Sequence, residues 1–486
     1  MDRSTIELIV FIVYLACMLG IGVFFFVKSH SGGDKEYFLG GRKMGPFVTA
    51  LSAGTADMSA WVLMGLPTSI YALGLGQIWI PIGLAIGYAL SWIFEAPRLR
   101  KFSIVANDSI TIPQYLTNRF LSKNKALQVV CAIIFLVAYT IYAASSIKAC
   151  GTLFNTVAGI DANIAMYIAA LITIGYVFLG GFKAACWTDF FQGLLMLAAM
   201  MIAPIFAATM LGGMNVEPMP EGYFTVLTSW QDIVSGLAWG LGYFGMPHII
   251  VRFMSLRSQK EMKKSAVVAI FWTVLIVFFA ALIGIIGRQF LGYDPNTEEN
   301  SLVFILMVRA IFPAVISGVL LAAILAASMS TASAQMLSAA SSLAADVYKP
   351  IVRKGDATER EMFWMSRCAV ILISVVAVLI ASNPGAGSIM SLVSNAWAIF
   401  GAAFGPCIIL SLFWRRFNFA GALSGIVAGG AVDILWLMFL TSSTGVYELL
   451  PGFVVGLVVA VVVTLMTPAP SAEVDELFDK AISFED

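Results

Sequence analysis

Charge, histidine and cysteine are all scarce in these 486 residues, and each scarcity removes a class of function. Only 12% of the residues are charged and the formal net charge is zero, so there is no basic surface to capture nucleic acid. Two histidines, with no HExxH, GxSxG or Walker-type stretch, leave little for hydrolytic, metal or phosphoryl chemistry. The chain is therefore not expected to be an enzyme. The six cysteines, Cys17, Cys131, Cys150, Cys186, Cys368 and Cys407, lie in or beside apolar runs without metal-ligand spacing and are expected as core thiols.

What is abundant is hydrocarbon. Hydrophobic residues make up 60% of the chain, and the mean hydropathy is +0.91. Apolar stretches of about 18 to 28 residues recur along the whole length, each able to span roughly 30 Å of bilayer as a helix. The expectation is an all-α polytopic membrane protein. The first stretch, Ile6 to Val27, is too long for a signal h-region and lacks a small-residue cleavage site, so it reads as a retained span.

Thirteen spans are expected, at 6–27, 44–75, 77–97, 126–155, 160–182, 189–212, 230–250, 266–291, 302–336, 364–382, 386–413, 419–441 and 446–467. An odd count puts the termini on opposite faces, and the bias of Lys and Arg toward the cytoplasm sets the direction. With the amino terminus outside, the inner loops hold Arg42, Lys43, Arg98, Arg100, Lys101, Arg119, Arg252, Arg257, Lys349 and Arg353, among others. The opposite face carries acids such as Glu221, Asp294, Glu298 and Glu448. The segment from Pro468 to Asp486 is short, acidic and too small for a separate domain.

Three stretches depart from a plain apolar helix. Residues 52–61, "SAGTADMSAW", place Asp57 among small polar residues in mid-span, and a carboxylate at that depth defaults to function. An unwound turn there exposes carbonyls near Thr55 and Met58. Residues 237–253, "LAWGLGYFGMPHIIVRF", carry Gly240, Gly242, Gly245 and Pro247, and Pro247 removes an amide donor. Residues 324–342, "ILAASMSTASAQMLSAASS", offer the hydroxyls of Ser330 and Thr331 with the carbonyl of Ala327 one turn earlier, the oxygen donors a hard cation wants.

Each stretch also has a plainer reading. Small faces serve close helix packing, a Gly and Pro interruption is often a kink, aromatics such as Trp239 and Tyr142 anchor or pack, and Asp57 could neutralise a buried base. The joint spacing favours function. The two interrupted spans are the second and the seventh, matching positions in two five-span units of opposite direction, the pattern of an inverted-repeat secondary transporter.

At these residues the sequence resembles the sodium/solute symporter family. The matching stretches are "FLGGRKMGPFVTALSAGTADMSAW" (38–61), "TIYAASS" (140–146), "GGFKAACWTDFFQ" (180–192), "WGLGYFGMPHIIVRFM" (239–254), "LLAAILAASMSTASAQ" (320–335) and "NAWAIFGAAFGP" (395–406), in the same order with similar gaps. The resemblance covers nearly the whole chain. It implies inverted five-helix repeats of the LeuT type with two broken helices, and sodium as the co-transported ion. Sodium would be held by the carbonyls of Thr55, Met58 and Ala327 and the hydroxyls of Ser330 and Thr331, with Asp57 as the acid on which binding depends. It implies L-proline as solute, among Tyr142, Trp239, Tyr243 and Pro247, with Ser59 linking the two sites. Arg42 and Asp189 match positions tied to coupling and ion passage.

There are departures. Ala60 and Met246 stand where glycine and glutamine are expected, and Lys148 is an unexpected base within a span. Lys148 either snorkels or pairs with an acid, or else makes the outer vestibule electropositive. Of two serines expected near Asp189 only Ser333 remains, followed by Ala334, which favours one sodium per solute. The expected organisation is a first helix and loop (1–43), repeats at 44–212 and 230–415, two peripheral helices (416–467) and a tail (468–486), in the cell (inner) membrane with no obligate protein partner. Three alternatives stay open: another small amino acid, carboxylate or vitamin as solute; a proton-coupled carrier; and a membrane sensor module.

Overall fold

The computed structural model describes residues 1–28, 34–214, 218–383, 385 and 387–485, and among them there is helix and no strand. In chain order the principal helices are α1 (Arg3–Lys28), α2 (Pro46–Asp57), α3 (Trp61–Leu73), α4 (Leu75–Val105), α5 (Ile112–Arg119), α6 (Ala126–Ala158) and α7 (Ala162–Leu211). There follow α8 (Trp230–Phe244), α9 (Pro247–Ser255), α10 (Gln259–Leu291), α11 (Ala314–Val352), α12 (Glu359–Ala381), α13 (Ile389–Phe413), α14 (Phe419–Phe439), α15 (Leu449–Met466) and α16 (Ala472–Ser483).

Ten helices among the described residues are long and apolar enough to cross a membrane, and twelve crossings result if each bent pair counts as one. The expected count of thirteen is not established, because the fifth span, 160–182, is represented only by the shorter apolar stretch Ala162–Gly175. That stretch runs into the next helix through Gly181, whose φ of 57° and ψ of −151° turn the chain where a side chain would be strained. The expected ninth span, 302–336, begins later than its hydropathy suggests. Val303–Ile311 is a helix of its own, and α11 starts after Pro313, which sits at ψ 157° as its N-cap. The acidic tail also has more structure than expected: α16 buries Val474, Leu477, Phe478 and Ala481, and Phe478 packs edge-on to Phe102 at 5.2 Å.

Both interrupted spans are broken. α2 and α3 bend by 61° and α8 and α9 by 43°. The first break follows from Met58 (φ −77°, ψ 74°), which leaves the helical region just after Asp57. Proline places the other: Pro247 opens α9 at its first turn, where a missing N–H costs nothing. The start of α2 and the end of α9 then meet. The Met44 amide donates to the Ser255 carbonyl at 3.2 Å, and the Arg257 amide donates to the Met44 carbonyl at 3.0 Å.

Glycine lets α4 and α8 cross almost backbone to backbone. A Cβ on Gly87 would lie 2.1 Å from the Gly240 carbonyl oxygen, and one on Gly240 would lie 2.2 Å from the Gly83 carbonyl oxygen. Gly240→Ala is expected to separate the helices and lower stability by about 1–3 kcal/mol, the usual cost of overpacking. Thermal unfolding in detergent checks this, and an unchanged midpoint would show that the crossing has slack.

Candidate functional site

Next to the first break, α11 runs as an uninterrupted helix of small residues from Ala314 to Ser341. The Ser330 hydroxyl donates to the Thr55 carbonyl at 2.9 Å and lies 3.0 Å from the Ala327 carbonyl, and the Thr331 hydroxyl donates to the same Thr55 carbonyl at 3.2 Å. Four of the expected ion ligands thus converge: two carbonyls and two hydroxyls, all buried. Small side chains allow this, since α2 could not approach a bulkier α11 so closely. Ser333 is elsewhere engaged, with its hydroxyl on the Ser330 carbonyl at 2.8 Å.

Asp57 looks the other way. Its Oδ2 accepts from the Tyr243 hydroxyl at 2.5 Å, and its main-chain oxygen faces Trp61 Nε1 at 3.3 Å and the Tyr142 hydroxyl at 3.5 Å. Oδ1 is buried without a partner, and the buried Ser59 hydroxyl faces that of Tyr142. The carboxylate therefore faces the expected solute residues rather than the four ion ligands. The break itself separates the two directions: Thr55 still belongs to α2, whereas Asp57 is its last residue.

Around Tyr243 the second break assembles an aromatic enclosure. Trp239 stacks on Tyr447 at 5.2 Å and on Trp397 at 6.4 Å, and Trp61 lies 6.1 Å away. Tyr243 sits edge-on to Tyr88 at 4.9 Å and to Trp397 at 5.0 Å. Trp397 Nε1 donates to the Trp239 carbonyl at 2.9 Å, which fixes both rings. Tyr142 closes one side against His248, whose Nε2 lies 3.1 Å from the Ala56 carbonyl. Such walls suit a small apolar ring, while Asp57 Oδ1 and the Ser59 hydroxyl offer hydrogen-bonding groups.

Next to the expected ion ligands lies a charged network. Arg252 was expected in an inner loop; instead α9 carries it inward to full burial, since Asp189 compensates its charge. Arg252 Nη2 is 3.0 Å from Asp189 Oδ2, Arg252 Nε donates to the Ser52 hydroxyl at 2.7 Å, and that hydroxyl donates to Asp189 at 2.7 Å. The Thr55 hydroxyl reaches the Asp189 carbonyl at 3.3 Å, so the network abuts the expected ion ligands.

Arg42 stands apart, beside the contact between the start of α2 and the end of α9. Its guanidinium pairs with Asp108 at 2.8 Å and donates to the Met254 and Ser109 carbonyls at 2.7 Å each and to the Ser103 hydroxyl at 3.1 Å. It ties α4 and the loop after it to the end of α9. Burial pushes its pKa down, and Asp108 opposes that. Lys148 bonds the Gly387 carbonyl.

Trp61, Trp397, Tyr447, Ser52 and Arg252 were not picked out as site residues. For Trp61 and Trp397 the signal lay inside stretches already singled out, 52–61 and 395–406. Met246, fully buried, and Ala60, at φ −54° and ψ −19°, fit their positions without strain, so neither departure disturbs the break itself.

Against known proteins, the sodium:solute symporter family matches residues 37–429. The chain belongs to that family. Sodium/proline symporters of Staphylococcus aureus strains JH9 and NCTC 8325 / PS 47 are each 40% identical over 495 residues, covering 99% of this chain and 96% of theirs. A solved Na+-coupled sialic acid symporter, substrate-bound and outward-open, superposes with a TM-score of 0.78 over 97% of this chain and 100% of its own, at 20% identity. A nucleobase-cation-symport-1 family transporter in a closed conformation gives 0.56 over 91% of this chain and 98% of its own, at 14% identity. These two likenesses concern the fold, the LeuT-like arrangement with two broken helices. As a family member the chain is a multi-pass, sodium-coupled solute symporter.

Proposed function

We propose that the solute is L-proline, taken into the cell with one sodium ion per proline by alternating access. The observation that carries this reading is the meeting of the Thr55 and Ala327 carbonyls with the Ser330 and Thr331 hydroxyls, at the same helix break that Tyr243 and the aromatic enclosure reach through Asp57. The 40% identity to sodium/proline symporters along nearly the full chain supports the choice of solute.

Sodium binds at Thr55, Met58, Ala327, Ser330 and Thr331, and Asp57 supplies the negative field that makes the ion welcome in a low-dielectric site. Proline lies among Tyr142, Trp239, Tyr243 and Pro247, with Ser59 joining the two sites. Asp189 with Arg252 lies on the ion's inward route, and Arg42 holds the cytoplasmic mouth shut until the bundle rocks. The bilayer is the cell inner membrane, with the amino terminus outside and the carboxyl terminus in the cytoplasm.

Zwitterionic proline adds no net charge, so each cycle moves one positive charge inward. A 100 mV potential supplies about 2.3 kcal/mol per charge, and a tenfold sodium gradient about 1.4 kcal/mol. Together they support accumulation of roughly several hundredfold. One sodium suffices.

Binding of radiolabelled proline to the purified protein, with and without sodium and against a panel of competing solutes, tests the solute. Sodium-dependent binding displaced best by proline is expected. Displacement only by another small amino acid or carboxylate would move the assignment, a second reading that Ala60 and Met246 favour. Trp239→Ala is expected to weaken proline binding about tenfold or more while the sodium requirement moves less, because a stacked wall is removed and no ion ligand. Equal losses in both would make Trp239 a structural residue.

A further inference from the structure

Asp433 lies inside α14 and has no task in the cycle above. Its side chain is fully buried, and neither carboxylate oxygen has a hydrogen-bond partner among the described residues. It ends a buried stripe of α14 that runs through Gly421, Gly425, Gly429 and Gly430. The stripe draws three helices together. A Cβ on Gly452 of α15 would lie 2.7 Å from that of Ala402 on α13 and 3.1 Å from that of Asp433. An acid inside a span defaults to function, and the question is what neutralises it.

Its neighbour is another acid. Glu448, the residue before α15, is buried as well, lies within electrostatic reach of Asp433, and accepts from the Thr441 hydroxyl at 3.3 Å. No Lys, Arg or His among the described residues faces either acid. The other titratable groups nearby are the Tyr447 phenol, next to Glu448 in the chain, and the Tyr142 phenol of α6 within electrostatic reach of Tyr447. The Cys407 thiol of α13 packs at Gly425, about two turns from Asp433. None of these supplies a positive charge. Two buried carboxylates without a base cannot both stay ionised, and such pairs settle by holding one proton between them. Tyr447 connects that pair to the aromatic enclosure. Its ring stacks on Trp239 at 5.2 Å, its hydroxyl donates to the Ser394 carbonyl at 2.7 Å, and its amide donates to the Ser235 hydroxyl at 3.0 Å.

We infer that Asp433 and Glu448 form a proton-binding site, and that the proton they share keeps Tyr447 seated on Trp239. Loss of that proton as the pH rises leaves two like charges in a low-dielectric contact, drives Glu448 away from α14 and takes Tyr447 off the enclosure wall. The proton is tested without the solute; the effect on binding rests on the proline reading above. Infrared spectra of the purified protein are compared with those of the double variant Asp433→Asn with Glu448→Gln, whose amides keep the shape of the protonated acids. At neutral pH the double variant is expected to lack one protonated-carboxyl band and one carboxylate band. The missing protonated band is expected to convert to carboxylate in wild type as the pH rises. Loss of two carboxylate bands and no protonated one would overturn the site. Labelled proline binding in saturating sodium is then followed against pH. The affinity of Asp433→Asn relative to wild type is expected near parity at mildly acidic pH and about tenfold higher at mildly alkaline pH, with Glu448→Gln alike. A ratio that does not move with pH in either variant would break the link to Tyr447 and overturn the inference. If wild type binds no proline at any pH, the solute reading fails separately, and the infrared comparison decides the proton site.

Discussion

Asp57→Asn is expected to raise the sodium concentration for half-maximal proline uptake roughly a hundredfold, since a unit charge on the order of 5 Å away at an effective dielectric near 20 is worth about 3 kcal/mol. The asparagine retains an acceptor for the Tyr243 hydroxyl, so the loss reports the charge. Asp57→Ala removes that acceptor as well and leaves a buried hydroxyl unpaired, adding about 1–3 kcal/mol. It is expected to lower both sodium and proline affinity, because Tyr243 belongs to the aromatic enclosure. Asp57→Glu keeps the charge and is expected to be mildest. Uptake kinetics over a sodium titration decide: a sodium requirement unchanged in the asparagine variant would remove Asp57 from the ion's surroundings. On the proposed reading Asp57 is an indirect partner, acting on the ion by its field while its carboxylate accepts from Tyr243 of the aromatic enclosure.

The second large effect is expected at Arg252. Both members of the Arg252–Asp189 pair are buried, with side-chain exposures of 2% and 0%. Arg252→Ala leaves Asp189 as an uncompensated buried charge and is expected to cost about 3–5 kcal/mol, seen as a lower thermal midpoint in detergent. The double variant Arg252→Met with Asp189→Leu replaces ion pair by hydrocarbon and is expected to recover most of that stability, since apolar substitutes for buried pairs are often neutral. Transport is expected to stay low, because the Asp189 carbonyl accepts from the hydroxyl of Thr55, whose own carbonyl is one of the four candidate ion ligands. Stability and transport recovering together would make the pair a structural element only.

The breaks were legible because their causes are local: Pro247 and the glycines around it, and small polar residues around Asp57, disturb a helix wherever it is placed. The convergence of Ser330 and Thr331 on Thr55 was half legible. Donor chemistry at 324–342 could be read, but only the packing of α11 against α2 brings 275 residues of separation down to hydrogen-bond distance. Arg252 was misplaced for the opposite reason. A base after an apolar stretch normally marks a membrane exit, and its partner is 63 residues away on α7. Val474, Leu477, Phe478 and Ala481 at helical spacing did announce α16, but the acidic composition of the tail obscured them. Hydropathy also merged Val303–Ile311 with α11, because the Pro313 break leaves both sides apolar.

The most direct test of the account is labelled proline uptake by the purified protein in liposomes, with and without an inward sodium gradient, and with potassium and valinomycin setting an inside-negative voltage. Uptake that requires sodium and rises with the voltage is the predicted result. Uptake that ignores sodium, or sodium-driven uptake of other solutes with none of proline, would contradict it.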